Sequence, residues 1–244
     1  MKRFATAPLA LALIALAACG SQQDGSGAPS GKVEGKAAPE GTSWTEQVVA
    51  TDEGGMLMGN PDAPIKVIEF ASYTCSHCAQ FAEQSHEELE RDFVNSGKVS
   101  FELRNYVVNP LDISVALLAR CAGPEAFFPL SHQFFANQPQ MIQQLQSGGE
   151  DAYQNAMSAP PAERFQRLAE AAGLIEFAKQ RGIPEDKARQ CLADSKTVEA
   201  LAAGVERDSE RYGITGTPTL IMNDSKLDVT TWPALSEQLK NAGA

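Results

Sequence analysis

The run Ile65-Lys66-Val67-Ile68-Glu69-Phe70-Ala71 leads into Cys75-Ser76-His77-Cys78, and that junction constrains the fold more than any other stretch. A segment so rich in β-branched and aliphatic residues reads as an interior strand. A helix is expected from Cys75 to about Asn95, stopped by Gly97. Cys78, Ala82, Ser85, Leu89 and Phe93 recur at helical spacing and would face a sheet. Glu83, Glu87, Glu88, Glu90 and Arg91 read as the solvated side of that helix. Val99–Val108 reads as a second strand, completing a βαβ unit and so a parallel pair inside an α/β fold.

The position of the C-x-x-C gives it chemistry. Cys75 falls at a helix start, where unpaired backbone N–H groups and the helix dipole favour an anion. A thiolate there has a lowered pKa and is both a nucleophile and a good leaving group. Cys78, one turn on, can close a ring with it and points toward the core, so Cys75 is the exposed sulfur and Cys78 the resolving one. His77 can add a positive charge or a donor. A zinc site would need about four ligands, and His86 and His132 form no spaced pair with each other. A purely structural bridge three residues apart closes too short a loop to stabilise much. Dithiol–disulfide exchange is the reading adopted, with metal binding kept as its rival.

The remaining elements surround this unit. Thr45–Thr51 and Gly55–Gly59 read as short strands ahead of a rigid Asn60–Pro64 loop, and Pro218–Asn223 and Leu227–Thr230 as later ones. Pro233–Asn241 reads as a closing helix. Between Val108 and Thr217 lie far more residues than a crossover needs. Amphipathic pieces at Asp112–Cys121, Glu125–Phe135, Ala162–Ala172, Pro184–Ala193 and Thr197–Tyr212 mark a helical insertion over about 111–212. Phe127, Phe128, Phe134 and Phe135 read as core within it, with a substrate groove as the alternative.

Met1-Lys2-Arg3, then an apolar run to Ala18 and Leu16-Ala17-Ala18-Cys19, resembles a bacterial lipoprotein signal. Residues 1–18 would be removed and Cys19 lipidated, anchoring the chain to a bilayer without a spanning helix. An ordinary secretory signal is the alternative. Losing Lys2 and Arg3 takes the net charge from −11 to −13, a balance that repels a phosphate backbone and speaks against nucleic acid. Residues 19–42 are Gly, Ser, Pro, Ala and charge, expected to form a flexible tether with a reach of roughly 25 Å. The folded domain is expected over 43–244.

Gly59-Asn60-Pro61-Asp62-Ala63-Pro64, Val67-Ile68-Glu69-Phe70, Cys75-Ser76-His77-Cys78 and Gly213-Ile214-Thr215-Gly216-Thr217-Pro218-Thr219 together resemble the DsbA-like thiol:disulfide oxidoreductases. The resemblance implies a thioredoxin-like fold with an inserted α-helical domain. It implies that Thr217-Pro218 is a cis-proline turn facing the cysteines and pairing with substrate. It also makes Glu69 a buried acid exchanging a proton with Cys78, with a strand-end residue facing solvent as the alternative, and matches His77 to the histidine of the family motif. Ser76 stands in place of the usual proline and Thr217 in place of a common valine, which leaves the direction of electron flow open. Threonine before that proline also resembles the bacterial disulfide isomerases, whose N-terminal dimerisation domain a Gly/Ser-rich stretch cannot supply.

Cys121 and Cys191 lie in the insertion. In an oxidising compartment the expectation is a structural disulfide closing 70 residues, for which chain entropy allows about 4 kcal/mol. A second redox pair is the alternative. The whole reading is a periplasmic, membrane-tethered dithiol oxidase that needs no cofactor or metal. Its implied partners are exported proteins with free thiols and a DsbB-type quinone-linked membrane oxidase. An isomerase or reductase of the same fold is one alternative, and a non-catalytic metal-binding or holdase lipoprotein is another.

Overall fold

The computed structural model of the chain describes Met1 and residues 33–244. The signal segment, Cys19 and most of the expected tether lie outside the described residues. Strands β1 (Val48–Ala50), β2 (Met56–Gly59), β3 (Ile65–Ala71), β4 (Val99–Asn105), β5 (Thr219–Met222) and β6 (Ser225–Lys226) form a mixed sheet in the order β1-β2-β4-β3-β5-β6. Helix α1 (Ser76–Glu88) joins β3 to β4, which run parallel with Ile65 opposite Val99 and Ala71 opposite Asn105. The other neighbours are antiparallel.

Strand β3 is central and buried on both faces. Ile65, Val67 and Ala71 enter the main core with Phe81, Leu89 and Phe93. Ile68 and Phe70 face the other way, toward Ile214, Ile221 and Tyr212. Two-residue alternation therefore delivers Glu69 to the same face as Val67, into the apolar layer under α1.

The insertion spans α2 (Pro110–Arg120), α3 (Pro124–Ala136), α4 (Gln138–Ser147), α5 (Gly149–Met157), α6 (Pro161–Ala171), α7 (Leu174–Lys179), α8 (Glu185–Leu192) and α9 (Ser195–Tyr212). Helix α2 is apolar nearly all round and buried, the pattern of a bundle's central helix. Cys121, just past its end, is disulfide-bonded to Cys191 of α8. Phe127, Phe128, Phe134 and Phe135 are all core residues.

Several elements differ from the sequence expectation. The Cys75–Asn95 helix gives way to a π-turn at Leu89–Val94, which keeps Leu89, Phe93 and Val94 all buried. Thr45–Thr51 is a 3-10 turn (Trp44–Glu46) followed by the short β1. Leu227–Thr230 is not a strand. Asn223 and Asp224 take positive φ (47° and 64°), making a two-residue hairpin turn that starts β6 at Ser225. Helices α4, α5 and α7 were not expected.

The stretch expected as tether is packed on the domain from Val33 onward. Val33 is buried, and the Lys36 carbonyl accepts from Trp44 Nε1 at 2.6 Å. Gly97, at φ 71°, lies so close that a Cβ there would collide with that carbonyl. Glu88 is not merely solvated either. It accepts from Trp232 Nε1 (2.9 Å), Lys240 Nζ (3.0 Å) and Ser236 Oγ (3.2 Å), pinning the C-terminal helix α10 (Trp232–Asn241) to α1.

Candidate active site

Strand β3 ends at Ala71, and Ser72-Tyr73-Thr74 turns the chain so that Cys75 caps α1 in an extended conformation (φ −86°, ψ 119°). That turn is held from the insertion. Buried Asp112 accepts from Ser72 Oγ (2.7 Å), Thr74 N (2.9 Å), Val108 N (3.0 Å) and Thr74 Oγ1 (3.2 Å). Asn109, the N-cap of α2, accepts from Asp112 N and donates to Thr74 Oγ1. Gln138 Nε2 donates to the carbonyls of Tyr73 (2.8 Å) and Cys75 (2.9 Å), and the Tyr73 hydroxyl bonds Ser131 Oγ at 2.7 Å. None of Asp112, Gln138, Tyr73 and Ser131 was singled out from sequence. Only Asn109-Pro110-Leu111-Asp112 carried a local signal, that of a capped helix start.

Cys75 and Cys78 are both free thiols, the first half-buried and the second fully buried. Their pKa values move in opposite directions. A hydrogen bond from Cys78 is the largest influence lowering Cys75, against the opposing effect of partial burial. Thr217 and the backbone N–H groups of Cys78 and His77 add to it, and the thiol falls to about 4. Cys75 Sγ lies 3.2 Å from the Thr217 carbonyl oxygen. The protonated thiol donates to that oxygen, whereas the thiolate has no proton to give, so the Thr217 side chain and not its carbonyl stabilises the anion.

Cys78 is pushed well above the thiol range, first by burial, then by its hydrogen bond to Cys75 and the nearby Glu69 carboxylate. Burial, then the Cys75 charge, lifts Glu69 to about 8. Glu69 is 2% exposed, and its Oε1 has no hydrogen-bond partner. A carboxyl in such a place takes and gives protons near neutral pH.

Pro218 is buried and its bond to Thr217 is cis, and the Thr219 hydroxyl donates to the Gly216 carbonyl at 2.7 Å within the same loop. His77 is exposed, and it is its backbone N–H that turns to the sulfur. The fold thus gathers Cys75, Cys78, Glu69, Thr217 and Pro218. His86 and His132, without a sequence pairing, are stacked at 4.1 Å between ring centroids. Among the described residues no group of three or more His, Cys, Asp and Glu side chains is placed to hold a metal ion. No described helix is long and apolar enough to cross a membrane.

The thioredoxin family model matches residues 51–241, which take in strands β2 to β6, the cysteine pair and the cis-proline loop. The chain belongs to the thioredoxin family. Within it the chain is a DsbA-like member. The crystal structure of a protein-disulfide isomerase from Novosphingobium aromaticivorans is 32% identical, with a TM-score of 0.73 over 77% of this chain and 97% of that one. Disulfide bond formation protein D of Bacillus subtilis is 26% identical over 70% of this chain and 69% of its own length. A Rickettsia bellii protein that carries the name protein-disulfide oxidoreductase by assignment is 26% identical over 70% of this chain and 58% of its own. The DsbA-like chain thus spans little more than half the length of such Rickettsia relatives. Wolbachia pipientis alpha-DsbA1 shares the fold at a TM-score of 0.62 and 20% identity.

Proposed function

We propose that the protein is a thiol:disulfide oxidoreductase that oxidises the dithiols of exported proteins through Cys75 and Cys78. A substrate thiolate attacks the Cys75 sulfur and breaks the Cys75–Cys78 bond, and Cys78 leaves and takes up a proton. A second substrate thiolate attacks the substrate sulfur of the mixed disulfide and releases Cys75 as a thiolate. Two electrons pass from the substrate to the pair. Thr217-Pro218, beside the attacked sulfur, is where the substrate backbone would lie, and Glu69 serves the proton of Cys78.

The observation that carries this reading is the opposed pair of pKa shifts: a stabilised thiolate at Cys75 and a strongly basic one at Cys78. A thiolate favoured to this degree stabilises the reduced form, which makes the disulfide form oxidising. Reoxidation would come from a DsbB-type quinone-linked membrane partner. The site of action would be the periplasm, with the chain held at a membrane by acyl groups on Cys19.

A second reading is isomerisation. It is favoured by Thr217 ahead of the proline and by the likeness to a relative named as an isomerase. Equilibration of the Cys75/Cys78 pair with glutathione distinguishes the two directions of flow. A potential well above about −200 mV is expected of an oxidase, and one near −270 mV overturns that reading in favour of a reductase. Scrambled-substrate refolding then tests isomerisation directly. Alkylating Cys75 must abolish peptide dithiol oxidation; activity that survives it would place the chemistry elsewhere.

A further inference from the structure

The buried Glu69 does not end in solid protein. A cleft of about 40 Å³ runs between the sheet and helices α1 and α3, with Glu69 at its inner end and His86, Glu90 and His132 among its lining. Ser85 and Ser131 add hydroxyls, while β2 and β4 supply only the apolar walls Met58, Phe101 and Leu103. The space suffices for about three water molecules, at about 10–15 Å³ each. At the outer end the His86 and His132 rings stack at 4.1 Å, and His86 Nδ1 meets Glu90 Oε1 at 3.0 Å. Both histidines and Glu90 are half-exposed. This end opens into an outer cleft that holds Glu46 and Glu125 as well.

We propose that His86 and His132, with Glu90, form a proton port through which Glu69 exchanges protons with solvent by a route other than the Cys75 sulfur. His86 and Glu90 face the outer cleft, and His132 borders both it and the groove beside Ser76 and His77. The inference rests on the proposed thiol–disulfide function and names the route its proton takes.

The need for such a route follows from the balance of the reoxidation step. The Cys75 thiolate attacks the disulfide of an oxidising partner, forming a mixed disulfide and releasing one partner thiolate. Cys78 must then lose its proton, attack Cys75 Sγ, break the mixed disulfide and release the second partner thiolate. Two electrons go to the partner and one proton is left behind. Glu69 is the carboxyl beside Cys78, and a partner seated on Cys75 covers the direct way out. The cleft offers another path, through the end that faces Glu46 and Glu125, which no residue of the Cys75–Cys78 stretch lines. Groups facing it are Glu69 from β3, His86 from α1, Glu90 from the turn after α1, and His132 from α3. Glu83, on the outer face of α1, acts on His132 from outside. Burial and the neighbouring His86 lower the His132 pKa, keeping that imidazole a neutral acceptor at pH 7.

The test is the rate of closure of a preformed Cys75–peptide mixed disulfide, followed at pH 7 by release of the peptide thiol. The variants are His86→Gln with His132→Gln, and separately Ala82→Leu, which fills the cleft and leaves both histidines. Each is expected to slow closure about tenfold and to leave the Cys75 alkylation pKa in place; the double histidine variant recovers with added imidazole, whereas Ala82→Leu, whose path is filled, does not. Closure at the wild-type rate in both overturns the port, as does slowing of the double histidine variant that no buffer relieves. If the wild type closes and Glu69→Gln slows it while the port variants do not, the port falls and the function stands. A wild type that exchanges no disulfide at all overturns both.

Discussion

Cys75 Sγ sits 3.2 Å from the carbonyl oxygen of Thr217, 142 residues further along the chain. The two ends of the thioredoxin fold, separated by the whole helical insertion, meet at the sulfur. What they do to it is measurable. Cys75 is held as a thiolate down to about pH 4, chiefly by the Cys78 hydrogen bond and then by Thr217. Its absorbance near 240 nm and its alkylation rate should titrate far below the ordinary thiol value of about 8.5. Cys78→Ala, which removes the largest stabiliser, and Thr217→Val, which removes the hydroxyl, are each expected to raise that midpoint by about one unit. An unmoved midpoint in Cys78→Ala would mean that the helix terminus alone sets the thiolate.

The same shift predicts how stability depends on pH in the reduced protein. The folded Cys75 pKa lies below the unfolded one, so its contribution is present above the unfolded value and is lost as pH falls through about 4. The reduced form should therefore gain on the oxidised form as pH rises from about 4 to about 9. Paired melting curves of the two redox forms across that window check it. Parallel curves would contradict a stabilised thiolate.

Glu69 has the opposite sign. Its pKa is raised from 4.5 to about 8, so the unfolded state ionises first and stability is lost as pH climbs between those values. At pH 7 the difference corresponds to about 3 kcal/mol. Glu69→Leu is expected to stabilise the reduced domain by an amount of that order at pH 7, to leave its stability rising between pH 5 and 8 on the Cys75 contribution that Glu69 offsets in the wild type, and to slow every step in which Cys78 changes protonation. Denaturant unfolding at several pH values reads the first two effects. A destabilised Glu69→Leu would show that the carboxyl is not a strained group kept for its chemistry.

What the sequence made legible was local. Strand β3, the cysteine pair at a helix start and the βαβ unit follow from patterns within a few residues of one another, and the cis-proline loop from family motifs. The supports of the site were not legible, because their contacts cross the chain: Asp112 to Thr74 over 38 residues and Gln138 to Tyr73 over 65. A buried Asp in a helix start looks like an ordinary capping residue until its partners are seen. The stacking of His86 on His132 escaped for the same reason, since spacing rules see only one helix at a time. The strand expected at Leu227–Thr230 failed on a turn. Asn223-Asp224 supports positive φ at both positions, and that sends the chain back sooner than the apolar run suggested.

Asp112 predicts a link between scaffold and reactivity. It accepts four hydrogen bonds, two of them from the backbone N–H groups of Thr74 and Val108. Asp112→Ala leaves the Val108 N–H without its acceptor and the Thr74 N–H with only its 3.2 Å bond to Ser72 Oγ, at about 1–3 kcal/mol for each donor left unpaired, and frees the turn that delivers Cys75. Loss of about 3 kcal/mol in denaturant unfolding is expected, with a broadened or raised Cys75 titration. A stability loss with an unchanged titration would confine Asp112 to the fold and remove it from the geometry of the sulfur.

The Cys121–Cys191 bridge separates structure from chemistry in the insertion. It joins the end of α2 to α8 across 70 residues, away from Cys75. Chain entropy assigns such a loop about 4 kcal/mol, by restricting the unfolded state. Replacing both cysteines by Ala should therefore lower unfolding stability by an amount of that order. Because neither sulfur belongs to the site at the start of α1, the rate of peptide dithiol oxidation by Cys75 and the potential of the Cys75/Cys78 pair should stay the same. Thermal unfolding and single-turnover oxidation of the same variant decide the matter together. Unchanged stability with a slowed cycle would make the bridge a second redox pair instead of a staple.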